Sequence, residues 1–214
     1  MTLPEPSGLY YPNRIARAFF TAMDDVMGKN GLSQLLGQIN MEAYLDDLPP
    51  DNLNREFDFS KIATLNIALE TMYGSKGGRG MALKIGQSAF SRGMKDFGAL
   101  RGVTAAAFRA LPLEKRIDYG LQGFAAVLTN FSDQPCTVES DGNALLFVAD
   151  VSPFSWNRRS EKPVCHMMVG MLIECLRWSS NGYEFYVRET QCRATDHEQC
   201  IFRINKSAIG ERTR

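Results

Sequence analysis

The sequence predicts an α+β fold: a helical N-terminal half followed by an antiparallel β-sheet packed on helices, with a structural metal site. Helical spacing of apolar residues dominates the first half, strand-like alternation begins near residue 136, and cysteines and acids cluster over 189–200. With 44% hydrophobic residues, the 214-residue chain can bury a sizeable core. Its formal net charge of +0 provides no electrostatic reason to expect a nucleic acid or an anionic membrane as partner.

The N-terminal stretch MTLPEPSGLYYPN has neither the basic nor the apolar region of a secretory signal. No run reaches the roughly 18 consecutive apolar residues of a membrane-spanning helix. We therefore expect a cytoplasmic protein, whose thiols stay reduced. Its five cysteines are then expected to be buried or to bind metal rather than to form a disulfide framework.

Helices are predicted throughout the first half. Apolar residues recur at helical spacing from Ile15 to Val26 and stop at Gly28, a C-terminal signal. The glycine-rich stretch 74–80, GSKGGRG, matches no phosphate-loop pattern and predicts a flexible connection between helices. A proline-containing loop is predicted over 46–57. The same helical spacing predicts further helices around 32–39, 60–72, 81–97, 103–110 and 112–130.

Small residues line one side of the predicted helix that ends near Phe97, namely Ala82, Gly86, Ala89 and Gly93. A glycine inside a helix costs about 1 kcal/mol relative to alanine. The stripe therefore predicts that another helix, or a ligand, approaches this face closely. It can also lie at a dimer interface.

The second half changes to strand periodicity. Asp141-Gly142 predicts the turn of a hairpin, and Pro163 predicts the start of an amphipathic helix that ends near 179–182. Two strands, YEFYVRE and CIFRI, follow the helix, and a polar, frayed tail follows the strands. We divide the chain into an N-terminal helical extension, an α/β domain and a flexible tail, with the bounds 1–73, 74–206 and 207–214.

The side chain of Glu189 is predicted to point into the core. Alternation along strand 183–189 places Glu189 on the same face as three apolar residues, and Cys200 shares a face with Phe202 in the returning strand. An isolated buried carboxylate is very costly, so it must be paired, protonated or bound to a metal.

Three thiols are candidate partners for Glu189. Cys192 follows it by three residues, Cys200 begins the next strand, and Cys165 lies in the first turn of the predicted amphipathic helix, where a thiolate is favoured. Three thiolates and one carboxylate form a closed four-coordinate set, which suits structural Zn²⁺ and leaves no open position for catalysis.

Other interpretations remain at this stage. The cysteines can be incidental core residues, or Cys192 and Cys200 can form a disulfide across the hairpin, although a reducing compartment opposes it. Redox catalysis has little support because there is no C-x-x-C motif. His197 can replace one ligand, whereas His166 is expected beside the site or at the surface. Cys175 is predicted to be a core residue, and Cys136 has no assigned role.

The segments PVCHMMVGMLIECL, YEFYVRETQC and EQCIFRI resemble the 4-vinyl reductase domain family. The family pattern is a cysteine, a glycine after four residues, Glu-x-x-Cys, and a last cysteine followed by an aromatic. The matching positions are Cys165, Gly170, Glu189, Cys192, Cys200 and Phe202. The resemblance is specific over the core motif 143–205, looser upstream to Gly74 and only general before it. It implies a zinc site at Cys165, Glu189, Cys192 and Cys200.

The resembled family includes aromatic-sensing bacterial regulators, accessory proteins of bacteriochlorophyll synthesis and archaeal hydrocarbon-binding proteins, and it is distantly related to subunits of a vesicle-tethering complex. The resemblance implies an α/β domain that often dimerises around an apolar pocket. Phenol-type sensors use a pocket histidine upstream of the zinc site, but both histidines here lie within the zinc segment.

Three functions are compared. The first is a zinc-stabilised sensor or carrier that binds a small hydrophobic or aromatic ligand and signals through a partner protein. The second is a tetrapyrrole 4-vinyl reductase or its accessory, although no strand–glycine–helix unit is present to hold a nicotinamide or flavin; we lean against an enzyme. The third is a dimeric interaction scaffold. The candidate pocket residues are Phe90, Phe108, Phe124, Phe147, Phe154 and Trp156.

Overall fold

A computed structural model describes residues 4–211, except 94, 96, 98, 99 and 101–105. The described part confirms a mixed α+β architecture with antiparallel sheets. Its helices and strands are, in chain order, β1 (Tyr10–Pro12), α1 (Asn13–Gly37), α2 (Ala43–Asp46), β2 (Arg55–Asp58), α3 (Phe59–Arg92), α4 (Ala106–Arg109), α5 (Leu113–Phe131), β3 (Cys136–Asp141), β4 (Ala144–Ala149), α6 (His166–Ser180), β5 (Tyr183–Gln191) and β6 (Cys200–Glu211).

Two glycines bend the long helices. Gly28 in α1 and Gly74 in α3 adopt φ values of 71° and 70°, which glycine tolerates without the cost of a Cβ. Gly28 breaks α1 where the helix was predicted to stop, and helical structure resumes at once. The connection predicted over 74–80 is confined to Gly74, and the rest of that stretch is helical. A Cβ at Gly78 would lie 2.7 Å from the Cα of Glu70, so the sharp bend requires a glycine there.

The main sheet has four antiparallel strands in the order β3-β4-β6-β5. Phe147 of β4, Phe202 of β6 and Glu189 of β5 stand opposite one another in register, and all three are buried. Glu189 and Cys200 therefore point into the core, as strand alternation predicted. A separate two-stranded sheet, β1-β2, joins the start of α1 to the start of α3.

Helices α3 and α6 are in backbone contact through a pair of glycines. A Cβ at Gly86 would lie 2.0 Å from the carbonyl oxygen of Met167, and a Cβ at Gly170 would lie 2.1 Å from that of Leu83. The small-residue stripe of α3 thus marks a close helix–helix crossing within the chain. Close approach of another helix was one of the explanations that the sequence offered for this stripe. The same face is buried against α6, so it is not open to a second copy at this crossing.

Several predicted boundaries shift. The division at 73/74 falls inside α3, and buried residues from both sides of it belong to one hydrophobic core. Strand β6 continues to Glu211, which pairs with Tyr183, so 207–211 form part of the sheet rather than a frayed tail. Helix α6 begins at His166 rather than at Pro163. Strand β2 occupies the end of the predicted 46–57 loop.

Helix α4 overlaps the helix predicted over 103–110, of which 103–105 lie outside the described residues. None of the described helices combines the length and apolar character that crossing a membrane requires.

Candidate metal centre

Four side chains from three elements converge beneath the sheet. Cys165 occupies the N-cap position of α6, Glu189 lies near the end of β5, Cys192 follows that strand, and Cys200 begins β6. Their ligand atoms all lie within 4.8 Å of one another. Each cysteine has 0% of its surface exposed and Glu189 has 6%. The structure therefore brings together all four residues that the sequence nominated.

The sulfur spacings match a tetrahedral ion. The Sγ of Cys165 lies 3.9 Å from that of Cys192 and 3.7 Å from that of Cys200. Four ligands around zinc with Zn–S bonds of about 2.3 Å require sulfurs about 3.8 Å apart, whereas a disulfide requires about 2.0 Å. All five cysteines are free thiols. The geometry therefore favours a shared cation over a disulfide.

The Glu189 carboxylate provides an indication of a bound cation that does not depend on the sulfur spacings. Its Oε2 accepts a hydrogen bond of 2.9 Å from the backbone N–H of Cys165, while its Oε1 is buried without any partner among the described residues. Burial, followed by the neighbouring Cys192, raises the pKa of Glu189 to about 9. A buried acceptor without a partner is costly, and a cation among the four ligand atoms would satisfy it.

Two of the clustered thiols have pKa values shifted in opposite directions. Hydrogen bonds from Cys165 and Cys192 lower the pKa of Cys200 to about 4, whereas burial raises the pKa of Cys165. The Cys200 sulfur also accepts a hydrogen bond from the backbone N–H of Arg193. Because metals bind the deprotonated form of cysteine, metal binding at a thiolate site depends on pH.

Neither histidine belongs to the cluster. His197 lies in the exposed turn before β6, and its Nδ1 is 3.1 Å from the Oγ1 of Thr195. His166 is half-buried at the start of α6, and burial together with Arg79 and Arg158 lowers its pKa to about 4. His197 is thus not placed to replace a ligand.

Two serines contact the centre and were not nominated from the sequence. The Oγ of Ser152 lies 3.3 Å from the Sγ of Cys165, and the Oγ of Ser155 lies 3.5 Å from the Sγ of Cys200. Both are buried beside a 3₁₀ turn, Pro153–Ser155, that follows β4. Serine is common in exposed turns, so only the tertiary fold distinguishes these two from ordinary turn residues.

The candidate pocket aromatics mostly fill the core. Phe90, Phe124 and Phe147 are fully buried, and their rings pack in series with centroid distances of 5.5 and 5.7 Å. Phe154 is also fully buried and packs edge-on against Phe19 at 5.9 Å.

The two remaining pocket candidates lie elsewhere. Phe108 is half-buried in α4, and the indole N–H of Trp156 donates to the carbonyl oxygen of Glu5 near the N-terminus. The six residues therefore do not line one common cavity. Their packing is the ordinary behaviour of large apolar side chains.

A surface cavity of about 340 Å³ adjoins this aromatic core. It is lined by Phe90 and Trp178, whose ring centroids are 5.9 Å apart, and by the polar side chains of Lys95, Glu174 and Arg177. Because Phe90 is fully buried, Trp178 supplies the accessible aromatic surface. The volume of this cavity and its mixture of aromatic and polar groups suit a small ligand.

The fold and the site define an α+β domain with a closed cysteine–glutamate centre. No family model and no curated protein matches the chain. Solved H-NOX domains are similar in structure. A Cs H-NOX mutant has a TM-score of 0.61 at 10% identity, covering 95% of this chain and 99% of that one. A structure determined to probe heme distortion in the H-NOX family has a TM-score of 0.59 at 13% identity, covering 94% and 97%.

The H-NOX similarity establishes the fold and nothing further. A vinyl-4-reductase family protein from Methanocaldococcus jannaschii is also similar, at 18% identity, covering 60% of this chain and 91% of that one. Its TM-score is 0.33, too low to carry an argument. The resemblance to that family thus rests on the sequence motif.

A histidine-ligated heme does not fit the two cavities described for this structure. Histidine is one of the usual protein ligands of heme iron, but neither His166 nor His197 lines the 340 Å³ cavity or a second, polar cavity beside Arg14 and Arg17. Between α5 and the sheet, Phe124 stacks on Phe147 at 5.7 Å.

Proposed function

We propose that this protein is a zinc-stabilised module that binds a small hydrophobic or aromatic ligand as a sensor or carrier. The observation that carries the zinc assignment is the buried set Cys165, Glu189, Cys192 and Cys200, with sulfurs at tetrahedral spacing and one carboxylate oxygen without a partner. Thiolates with one carboxylate suit Zn²⁺, and four protein ligands leave no open position. The ion is therefore structural and joins α6 to β5 and β6.

Metal analysis of the purified protein tests this assignment. We expect about one zinc per chain, retained through gel filtration and removed by a strong chelator only slowly. Replacing zinc by Co²⁺ is expected to produce the intense thiolate-to-cobalt absorption of a tetrahedral site. A wild-type protein that is stably folded and free of metal after expression in zinc-supplemented medium would contradict the assignment.

The ligand-binding role is supported by the fold and by the cavity at Trp178. The cavity of about 340 Å³ is lined by the accessible face of Trp178, by Lys95, and by Arg177 and Glu174, which form an ion pair of 2.7 Å with each other. Such a site suits a planar aromatic compound with a polar substituent. The solved structures with this fold include an H-NOX protein of S. oneidensis in the Fe(II)NO ligation state, so the fold can hold small ligands in other proteins.

Trp178 provides the test of ligand binding. Benzoate and naphthalene, used as aromatic probes, are expected to quench its fluorescence in the wild type. Measured by isothermal titration calorimetry, which needs no tryptophan, Trp178→Ala is expected to bind the probes about two- to twelvefold more weakly because one aromatic pair contributes about 0.5–1.5 kcal/mol. Trp156→Phe is the matched control and should bind both probes like the wild type. Equal affinities in all three proteins would place the ligand elsewhere.

Native mass spectrometry of the purified protein provides a second readout. A retained lipid, aromatic compound or tetrapyrrole supports the carrier role, and turnover of a divinyl tetrapyrrole with NADPH would instead support the reductase. The homodimer and the signalling partner stay predictions.

A further inference from the structure

We propose that Asn66, in the N-terminal helical half, is a positioning residue of the metal centre. It holds both ends of the loop that delivers Cys165, here called the clamp loop (residues 153–165). This inference rests on the proposed zinc centre. In this proposal α3 supplies no ligand, but its Asn66 side chain helps to hold Cys165 in position.

Asn66 is an unusual residue for its position. It lies inside α3 with 1% of its surface exposed, where an apolar side chain would be the common choice. Its Nδ2 donates to the carbonyl oxygen of Phe154 at 3.2 Å and to that of Val164 at 3.0 Å. Its Oδ1 is buried without a partner among the described residues. A buried amide that leaves one atom without a hydrogen bond destabilises the fold. The presence of Asn66 at this position therefore points to a role for the two hydrogen bonds that its Nδ2 makes.

Each of the two accepting carbonyls precedes a residue that contacts the centre. Val164 precedes the ligand Cys165, and Phe154 precedes Ser155, whose hydroxyl lies 3.5 Å from the Sγ of Cys200. One side-chain amide thereby ties together the entry and the exit of the clamp loop. Loss of these bonds removes one donor from each carbonyl oxygen, leaving Val164 with the N–H of His166 at 2.9 Å and Phe154 with Arg158 at 3.5 Å. It also removes the only side chain that joins the two ends of the clamp loop among the described hydrogen bonds, and so frees the backbone on which Cys165 and Ser155 are placed.

A second contact lies one turn further along α3. The Arg158 side chain, 9% exposed, pairs with Glu70 at 2.7 Å and lies 3.5 Å from the carbonyl oxygen of Phe154. Because residues spaced by four face the same side of a helix, Asn66 and Glu70 hold the clamp loop from consecutive turns. On its other side the clamp loop is joined to the turn after Cys192, since the N–H of Ser160 donates to the carbonyl oxygen of Ala194 at 2.7 Å.

The test compares Asn66→Leu, which keeps the side-chain volume but removes both donors, with Thr64→Val. Thr64 is buried on the same helix and donates to the carbonyl oxygen of Ser60, so Thr64→Val removes a buried hydrogen bond that lies within α3. We expect Asn66→Leu to weaken zinc affinity about 10- to 100-fold, the usual effect of removing an outer partner of a ligand, and Thr64→Val to stay within about threefold. Zinc competition with a chelating dye measures both.

The Co²⁺ spectrum separates positioning of Cys165 from a general loss of stability. The Co²⁺-substituted Asn66→Leu protein is expected to show shifted and weakened thiolate bands, with the Thr64→Val spectrum unchanged. If Asn66→Leu does not fold, Arg158→Met removes the second contact and should weaken zinc binding by less than tenfold. Zinc affinities and spectra equal to wild type in the folded variant would overturn the inference.

A measurement on the metal-free protein separates a failure of this inference from a failure of the zinc proposal. Alkylation of Cys165, followed by mass spectrometry of the peptide, is expected to be faster in Asn66→Leu than in Thr64→Val. If the wild type binds no metal, the zinc proposal fails, and the alkylation rates then decide the role of Asn66 alone. Faster labelling supports positioning of Cys165, and equal rates refute it.

Discussion

Replacement of Cys192 by serine is expected to abolish stoichiometric zinc binding and to destabilise the sheet and α6 together. In the proposed zinc centre Cys192 would supply one of three thiolates, and it lies between β5 and the turn that leads to Cys200. Loss of an ion-bound ligand should exceed the 10- to 100-fold effect of an outer partner, so we expect at least about 100-fold weaker binding.

The effect of Cys192→Ser on the free energy of unfolding follows from the coupling between metal binding and folding. A metal that binds only the folded chain stabilises it by about 4 kcal/mol when its free concentration is about 1,000 times the dissociation constant. Most of that contribution should disappear in Cys192→Ser, and excess chelator should remove it from the wild type. Denaturant unfolding with and without chelator measures both.

Cys175→Ser is the matched control for this substitution. Cys175 is also buried, and its sulfur lies 3.5 Å from the carbonyl oxygen of Gly120, but it is outside the cluster. The control should lose some packing energy and keep one zinc per chain. Wild-type zinc affinity in Cys192→Ser, or loss of zinc in Cys175→Ser, would refute the assigned ligand set.

Gly170→Ala is expected to have a large effect on stability, although Gly170 lies outside the centre. The added Cβ would lie 2.1 Å from the carbonyl oxygen of Leu83 and 3.1 Å from the backbone nitrogen of Gln87. Both atoms belong to the backbone of α3, so neither can rotate away as a side chain would. Helices α3 and α6 must separate, and we expect a loss of about 3 kcal/mol or more in the free energy of unfolding. Thermal or denaturant unfolding measures the loss.

Gly80→Ala is the matched control because it lies in α3 with no atom within 4 Å of a Cβ. In a helix interior this change should stabilise by up to about 1 kcal/mol. The two glycine-to-alanine changes thus have opposite expected signs. Gly170→Ala should also weaken zinc binding, since α6 carries Cys165 at its N-cap. A Gly170→Ala protein as stable as the wild type would show that the helices do not cross this closely.

The sequence predicted most helices and strands because their apolar residues recur with the period of the element that buries them. A break at Gly28 was predicted, although as the end of the helix rather than as a bend within it. The hairpin between β3 and β4 was also predicted, but its two turn residues are Gly142 and Asn143, one position after the predicted Asp141-Gly142, because Asp141 still pairs with Ala144. The stretch 74–80 was misread because local composition could not show that Gly78 packs against the backbone of Glu70.

Two of the four candidate ligands were predictable for the same reason. Alternation along β5 and β6 determines which side chains share the inner face, so the inward direction of Glu189 and Cys200 followed from the two-residue period of a strand. Cys192 follows Glu189 by three residues, whereas Cys165 was nominated from its place at a helix start and from the family motif. The pocket residues were less predictable, because a phenylalanine in a filled core and one beside a ligand have the same sequence pattern.

By itself, then, the sequence determined the α+β class, the buried acid at Glu189 and the neighbouring candidates Cys192 and Cys200, since these depend on local periodicity and short spacing. Cys165 was nominated differently, from its place at the start of a predicted helix and from the resemblance to a family motif. Only the tertiary structure decided that Gly86 and Gly170 bring α3 and α6 into backbone contact. It alone also placed Asn66 on the loop that carries Cys165. The physical reason is that both depend on contacts between residues more than 80 positions apart, which no local pattern records.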